Sequence, residues 1–117
     1  MGDTSEDGLS RLEYHVLLAM ADGPRYGYGV KTAVEEESEG VLTPRAGTLY
    51  RVIARLMTRA LVEEVDAPPD TPPHPGRERK YYALTPVGRG ALADEARRLR
   101  GAAALADERL GAAKGHP

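Results

Sequence analysis

The 117-residue chain has no cysteine, no tryptophan and no phenylalanine. Without cysteine there is no disulfide framework, no thiolate metal site and no cysteine nucleophile, which suits a reducing cytoplasm. All six aromatic residues are tyrosines, so a core has to come from Leu, Val, Ala and Tyr. No apolar run approaches the roughly 18 residues of a membrane span. The opening residues, with Asp3, Glu6 and Asp7, are acidic and lead into no apolar stretch, unlike a secretory signal. Catalytic patterns are missing too. His15, His74 and His116 show no metal-ligand spacing, and no Ser, His and Asp set forms a nucleophile motif. Glu35, Glu36 and Glu37 are adjacent and splay apart on a helix. The run Tyr26-Gly27-Tyr28-Gly29 lacks the spacing and the Lys-Ser/Thr pair of a phosphate-binding loop. The chain is expected to be a non-enzyme without metal or cofactor, of a length that suits one domain of about 50–250 residues.

A basic excess is missing as well: 16 Lys and Arg stand against 18 Asp and Glu. The mean conceals two basic islands. Residues 43–62 carry Arg45, Arg51, Arg55 and Arg59 and no acid, and Arg77, Arg79 and Lys80 cluster further on. Between them, residues 63–76 hold Glu63, Glu64, Asp66 and Asp70 and no base. Charges act on partners within a Debye length of roughly 8–10 Å, so the islands outweigh the total. The acids elsewhere, Glu35 to Glu37 above all, are expected to restrain indiscriminate attachment to nucleic acid.

The elements follow from punctuation and period. After a tail over about residues 1–8, Ser10-Arg11-Leu12-Glu13 forms a capping box, with Leu9 and Tyr14 placed as a hydrophobic staple. Helix 1 spans about 10–22 and stops before Gly23-Pro24. Helix 2, about 27–38, is acidic towards its end, which opposes the helix dipole and predicts fraying near Ser38-Glu39-Gly40. Helix 3, about 44–59, has Thr43 as N-cap and Pro44 at its first position. At about 100° per residue, Ala46, Leu49, Ile53, Leu56, Met57 and Ala60 share one arc. Arg45, Thr48, Arg51, Arg55 and Arg59 share another, with Tyr50 at the border. Two strands follow, about 61–65 and 79–84, joined by a loop containing Pro68, Pro69, Pro72, Pro73 and Pro75. Thr85-Pro86 starts a long helix over about 86–110, before a tail at 111–117. Leu92, Ala96, Leu99, Ala103, Ala106 and Leu110 form a heptad seam along it, which suits pairing with a second copy; the alternative is docking on the chain's own helix 1.

Three helices followed by a β-hairpin is the order of a winged helix-turn-helix, spanning about 9–85. The expected fold class is mainly α with a small β-hairpin (α+β), carrying a long C-terminal dimerisation helix. In such a motif helix 3 enters the major groove. Arg45 and Thr48 then reach base edges, Arg51 and Arg55 reach bases or phosphates, and Arg59 faces phosphate or solvent. Gly47 serves either close backbone approach or packing. Tyr50 combines packing with a hydroxyl within reach of phosphate, and Tyr26 and Tyr28 either meet the DNA backbone at the start of helix 2 or pack under helix 3. Arg77, Arg79 and Lys80 make a phosphate clamp at the base of the wing. The alternative is a winged-helix module that binds protein rather than DNA.

The residues also resemble a known family. Leu17-Leu18-Ala19, Gly23-Pro24-Arg25-Tyr26-Gly27-Tyr28, Leu42-Thr43-Pro44, Gly47-Thr48-Leu49-Tyr50, Arg55-Leu56 and Leu61-Val62 are similar to blocks of PadR-family transcriptional regulators. The likeness continues through Gly76-Arg77, Lys80-Tyr81-Tyr82 and Leu84-Thr85-Pro86-Val87-Gly88. It implies a cytoplasmic homodimeric repressor of double-stranded DNA with an inverted-repeat operator. The stretch Asp66 to Pro75 departs from it, being longer and richer in proline and acid than the family's usual wing. The resemblance further implies a small-molecule effector in a groove between helix 1 and the C-terminal helix, where Tyr14 and Met20 are the candidate contacts.

Overall fold

A computed structural model of the chain describes residues 8–72 and 79–115. Its elements in chain order are α1 (Arg11–Ala19), β1 (Arg25–Tyr26), α2 (Gly27–Glu37), α3 (Ala46–Thr58), β2 (Val62–Val65), β3 (Tyr81–Leu84) and α4 (Pro86–Gly115). The expected tail at 1–8 falls, except for Gly8, outside the described residues.

Helix α1 opens on the expected capping box. The Ser10 amide donates to Glu13 Oε1 at 2.8 Å, and the Glu13 amide donates to Ser10 Oγ at 3.1 Å. Its last turn has no basic residue of its own. Two arginines from beyond it serve carbonyls there instead: Arg25 Nε donates to the Ala19 carbonyl at 2.6 Å, and Arg89 Nη1 to that of Ala21, in the turn just past the helix, at 3.3 Å. Positive charge there opposes the negative end of the helix dipole.

Fraying of α2 is not what the structure has. Beyond the C-cap Ser38, Glu39 takes φ 55° and Gly40 takes φ 81°. The Gly40 amide then donates to the Glu35 carbonyl at 2.9 Å, and that of Glu39 to Glu36 at 3.1 Å. This is a closed Schellman turn, which satisfies the last carbonyls despite the unfavourable acids. Helix α3 ends the same way. Ala60 has φ 62°, the Leu61 amide donates to Leu56 and the Ala60 amide to Met57, both at 2.9 Å.

The start of α3 differs from expectation. Arg45 rather than Thr43 is the N-cap, with an extended backbone at φ -74°, ψ 157°, so Pro44 stands outside the helix. Its buried face also rotates by part of a turn. Leu49, Val52, Ile53 and Leu56 are buried, whereas Ala46, Met57 and Ala60 are exposed. Periodicity defines an apolar arc, but the neighbouring elements decide which part of it is covered.

The hairpin is part of a three-stranded antiparallel sheet ordered β1-β3-β2. Val62 pairs with Leu84 and Val65 with Tyr81 on one side of β3; Arg25 pairs with Tyr82 and Tyr26 with Tyr81 on the other. The two-residue β1 is too short to show alternation and left no sequence signal. Tyr82 and Leu84 join a core with Val16, Leu17, Met20, Val30, Val34 and the buried face of α3. Leu92 of α4 closes this core from the other side.

At the start of α4 the Thr85 hydroxyl accepts from the Gly88 amide at 2.9 Å and donates to the Ala60 carbonyl at 2.6 Å. The Thr85 amide donates to the Leu61 carbonyl at 3.1 Å. Gly88 sits directly against that same carbonyl, leaving no room for a Cβ. The helix runs past the expected limit at Leu110 to Gly115, since Ala112, Ala113 and Lys114 favour helix and no cap stops it earlier.

Two glycines of α4 should respond oppositely to alanine. Gly88→Ala forces the Leu61 backbone to shift and lowers stability by about 1–3 kcal/mol, as overpacking does. Gly101 has nothing within 4 Å of a built Cβ, so Gly101→Ala raises stability by up to about 1 kcal/mol. Urea unfolding of both variants checks the pair.

Candidate nucleic-acid interface

The uncovered side of α3 carries Gly47, Tyr50, Arg51, Ala54, Arg55 and Thr58, all exposed. Arg45, the N-cap, is exposed just ahead of the first turn. Thr48 is half-buried, and its hydroxyl accepts from Arg51 Nη2 at 3.3 Å, which leans the guanidinium back along the helix. Gly47 has only Arg51 Nη1 near it, at 3.8 Å from a built Cβ. It is therefore not a packing glycine, and the helix backbone is open to approach at that point.

The arginine face is not free of acid once folded. Glu13, whose carboxylate already serves the α1 capping box, lies beside it. Arg55 Nε approaches Glu13 Oε2 at 3.5 Å and Arg59 Nη1 approaches Oε1 at 3.8 Å. Arg59 is half-buried on this flank rather than turned to solvent. Sequence reasoning missed the contact because the partners are 42 residues apart.

On the opposite flank Tyr50 rests its phenol on Gly27, the first residue of α2, where a Cβ would overlap the hydroxyl and ring edge. The Tyr50 side chain remains partly open to solvent, as expected of a group at the border of the two arcs. Tyr28 is exposed one residue further on, with Lys31 Nζ 6.0 Å from its ring centroid. Tyr26 is half-buried and serves the wing. The Arg79 guanidinium lies 4.1 Å over its ring, a cation–π distance, and the Tyr81 ring is 5.9 Å away. Arg79 and Lys80 are both exposed just before β3. Arg77 lies outside the described residues. Beneath the wing an open cavity of about 440 Å³ is lined by Asp66, Pro68, Thr71, Arg79, Lys80 and Tyr81 among others.

Charge states near the site are shifted in few places. The hydrogen bond to Glu35 raises the Lys31 pKa above its ordinary value. Burial raises that of Tyr82, with Tyr50 and Glu64 adding to it. Both groups keep their usual protonated form at neutral pH.

The seam of α4 divides. Leu92 is buried in the chain's own core and Ala96 is half-buried, so neither is an open contact in the way expected. From Arg97 to Gly111 every residue is exposed, including Leu99, Ala103, Ala106 and Leu110 of the seam and Leu105 beside it. Where an effector groove is expected, a cleft of about 280 Å³ is lined by Leu9, Ser10, Arg11, Tyr14, His15, Glu95 and Leu99. Tyr14 lines it. Met20 does not: it has no exposed surface and lies in the core, because the turn after α1 folds it inward. Burial, and then Arg11, lowers the His15 pKa, while burial raises that of Glu37, whose Oε1 is 3.9 Å from His15 Nδ1.

Comparison with known proteins places this geometry. The family of PadR-like transcriptional regulators matches residues 16–94. An uncharacterized 37.1 kDa protein in transposon TN4556 of Streptomyces fradiae is 41% identical over 81 residues, 69% of this chain. The chain spans 21% of the length of that relative. Among solved structures, a PadR-like regulator from Bacillus cereus superposes with a TM-score of 0.70 at 21% identity, covering 90% of this chain and 93% of the other. A PadR family regulator from Clostridium difficile gives 0.68 at 20% identity, covering 87% and 100%. Bacillus subtilis PadR in complex with operator DNA gives 0.59 at 22%, covering 73% and 46%. Among the described residues no helix is long and apolar enough to cross a membrane.

The Gly27 contact yields a prediction distinct from that for Gly88. Gly27→Ala meets the far end of a half-exposed ring, which can swing outward, so stability falls by less than about 1 kcal/mol. Tyrosine fluorescence should change while the urea midpoint barely moves. A loss as large as that of Gly88→Ala would show that Tyr50 is fixed.

Proposed function

The chain belongs to the PadR-like family of transcriptional regulators, and we propose that it represses transcription as a homodimer bound to an inverted-repeat operator. The observation that carries this reading is the exposed side of α3, where Arg51 and an open Gly47 backbone stand with no acid between residues 43 and 62. Arg45 and Arg51 are the candidates for base edges, near the N-terminal end that recognition helices present. Thr48 orients Arg51, and Arg55 borders the same face. Tyr28 and the Tyr50 hydroxyl lie where the DNA backbone would pass, as does the α2 N-terminus. Arg79, steadied by Tyr26, forms a phosphate clamp with Lys80; Arg77, the third residue expected in it, lies outside the described residues. That Bacillus subtilis PadR was solved with operator DNA supports the choice of partner.

The dimer reading rests on α4. Its exposed Leu99 and Leu110, with Ala103 and Ala106 between them, form an apolar stripe that a second copy would cover. Such pairing sets two copies of α3 about one helical turn of DNA, roughly 34–36 Å, apart. The cleft holding Tyr14 is the place for an effector. It has no Trp or Phe, so a ligand there would rely on one tyrosine face and on polar contacts.

Selection of bound duplexes from random sequence tests the function and identifies the operator. Binding should weaken steeply as salt rises. Arg51→Ala should weaken operator binding by about 1–3 kcal/mol and relax specificity at one position, without unfolding. Unchanged affinity would remove α3 as the recognition element. Leu99→Glu should give monomers by light scattering, and a persistent dimer would rule out the stripe. Dimers that bind no DNA would instead indicate a protein-interaction module.

A further inference from the structure

Among the described residues, Glu13 is an acid whose carboxylate lies against the arginine flank of α3. Glu35 pairs with Lys31 at 2.8 Å, and Glu37 lies beside His15. Glu13 is held in place from two directions. The Ser10 amide donates to its Oε1, and its side chain is only 10% exposed. Arg55, in contrast, is 56% exposed and meets the carboxylate at a long 3.5 Å. A fixed acceptor therefore faces a mobile donor, and if the pair opens, the arginine is the part that moves. Opening it leaves a largely buried carboxylate with less compensation, which opposes the exchange.

We propose that Glu13 is a positioning residue that sets DNA specificity. It keeps the Arg55 and Arg59 guanidiniums on the α1 flank of α3. On DNA of arbitrary sequence Arg55 stays with Glu13, and only an operator that offers it a better acceptor draws it away. This inference rests on the proposed function and deepens it. Non-specific affinity comes from cations meeting phosphates, and each such contact releases counterions. A carboxylate that occupies Arg55 removes one contact from every non-specific complex while leaving it available at the right site. The sequence count of four unopposed arginines on helix 3 thus overstates the charge that random DNA meets.

Anisotropy titrations of the full chain, on a random-sequence duplex and on a selected operator, test this across a range of salt. Glu13→Gln keeps the capping box, since the amide oxygen still accepts from Ser10, and removes only the charge. It should steepen the salt slope on random DNA by about one unit as Arg55 is released, at roughly 0.9 per phosphate contact. Random-duplex affinity at low salt should rise severalfold, and the operator-to-random ratio should fall. In the otherwise unaltered chain, Arg55→Ala should leave the random-DNA slope unchanged while weakening operator binding. This arm decides the matter even if Glu13→Gln folds poorly. Glu13→Gln with an unchanged slope, or Arg55→Ala with a slope flatter by about one unit, overturns the role of Glu13 alone. A chain that binds neither duplex overturns the proposed function and this role with it.

Discussion

The backbone carbonyl of Leu61 is the point on which the other elements are hung. The Leu61 amide closes the Schellman turn of α3, and its side chain is in the core. Its carbonyl accepts from Thr85 and lies against the bare Cα of Gly88. Val62, the next residue, pairs with Leu84, so the start of β2 and the end of β3 meet at the same place. Four elements are therefore joined through backbone groups, which cannot change rotamer. Helix α3, the proposed recognition helix, and the long arm α4 leave this joint in fixed directions. The proposed pairing of two copies on half-sites of set spacing would need that rigidity.

Charge in this protein is divided by task rather than summed. Arg25 and Arg89 satisfy carbonyls at the end of α1, and Arg97 and Arg98 pair with Asp94 and Glu95 along α4. These arginines support the fold. Arg55 and Arg59 border the recognition face but share Glu13. Arg45, Arg51, Arg79 and Lys80 are left exposed near the proposed DNA path. A net charge of -2 is thus compatible with local basic surface, because charges act on a partner within roughly a Debye length and not through their sum.

Much of the architecture was legible in the chain. The Ser10-Glu13 capping box, the three-helix order and the helix-start signal at Thr85-Pro86 are local, acting within three or four residues. The misses have non-local causes. Val52 is buried because α3 turns that flank inward, a choice made by its neighbours. Met20 belongs to the core and not to a groove because its neighbours in the packed fold bury it completely. Strand β1 exists only because β3 offers it an edge. The Glu13 contacts and the seat of Tyr50 on Gly27 leave no trace in periodicity, since each joins residues more than twenty positions apart.

The tripeptide Leu-Thr-Pro occurs twice, at 42–44 and 84–86, and the two copies separate local from tertiary causes. By itself the sequence determines that both are helix-start signals, and that a helix lies beyond each. At the second copy Thr85 caps α4 and Pro86 is its first residue. At the first, the Leu42 amide is held by Ser38 Oγ at 2.9 Å, Thr43 is exposed, and α3 begins only at Ala46. Thr85 differs in having two tertiary partners, the carbonyls of Ala60 and Leu61. A cap contributes about 1 kcal/mol, so contacts of similar size decide where a helix begins. Only the packed fold could make that choice, and with it the fold placed Arg45 ahead of the recognition helix instead of inside it.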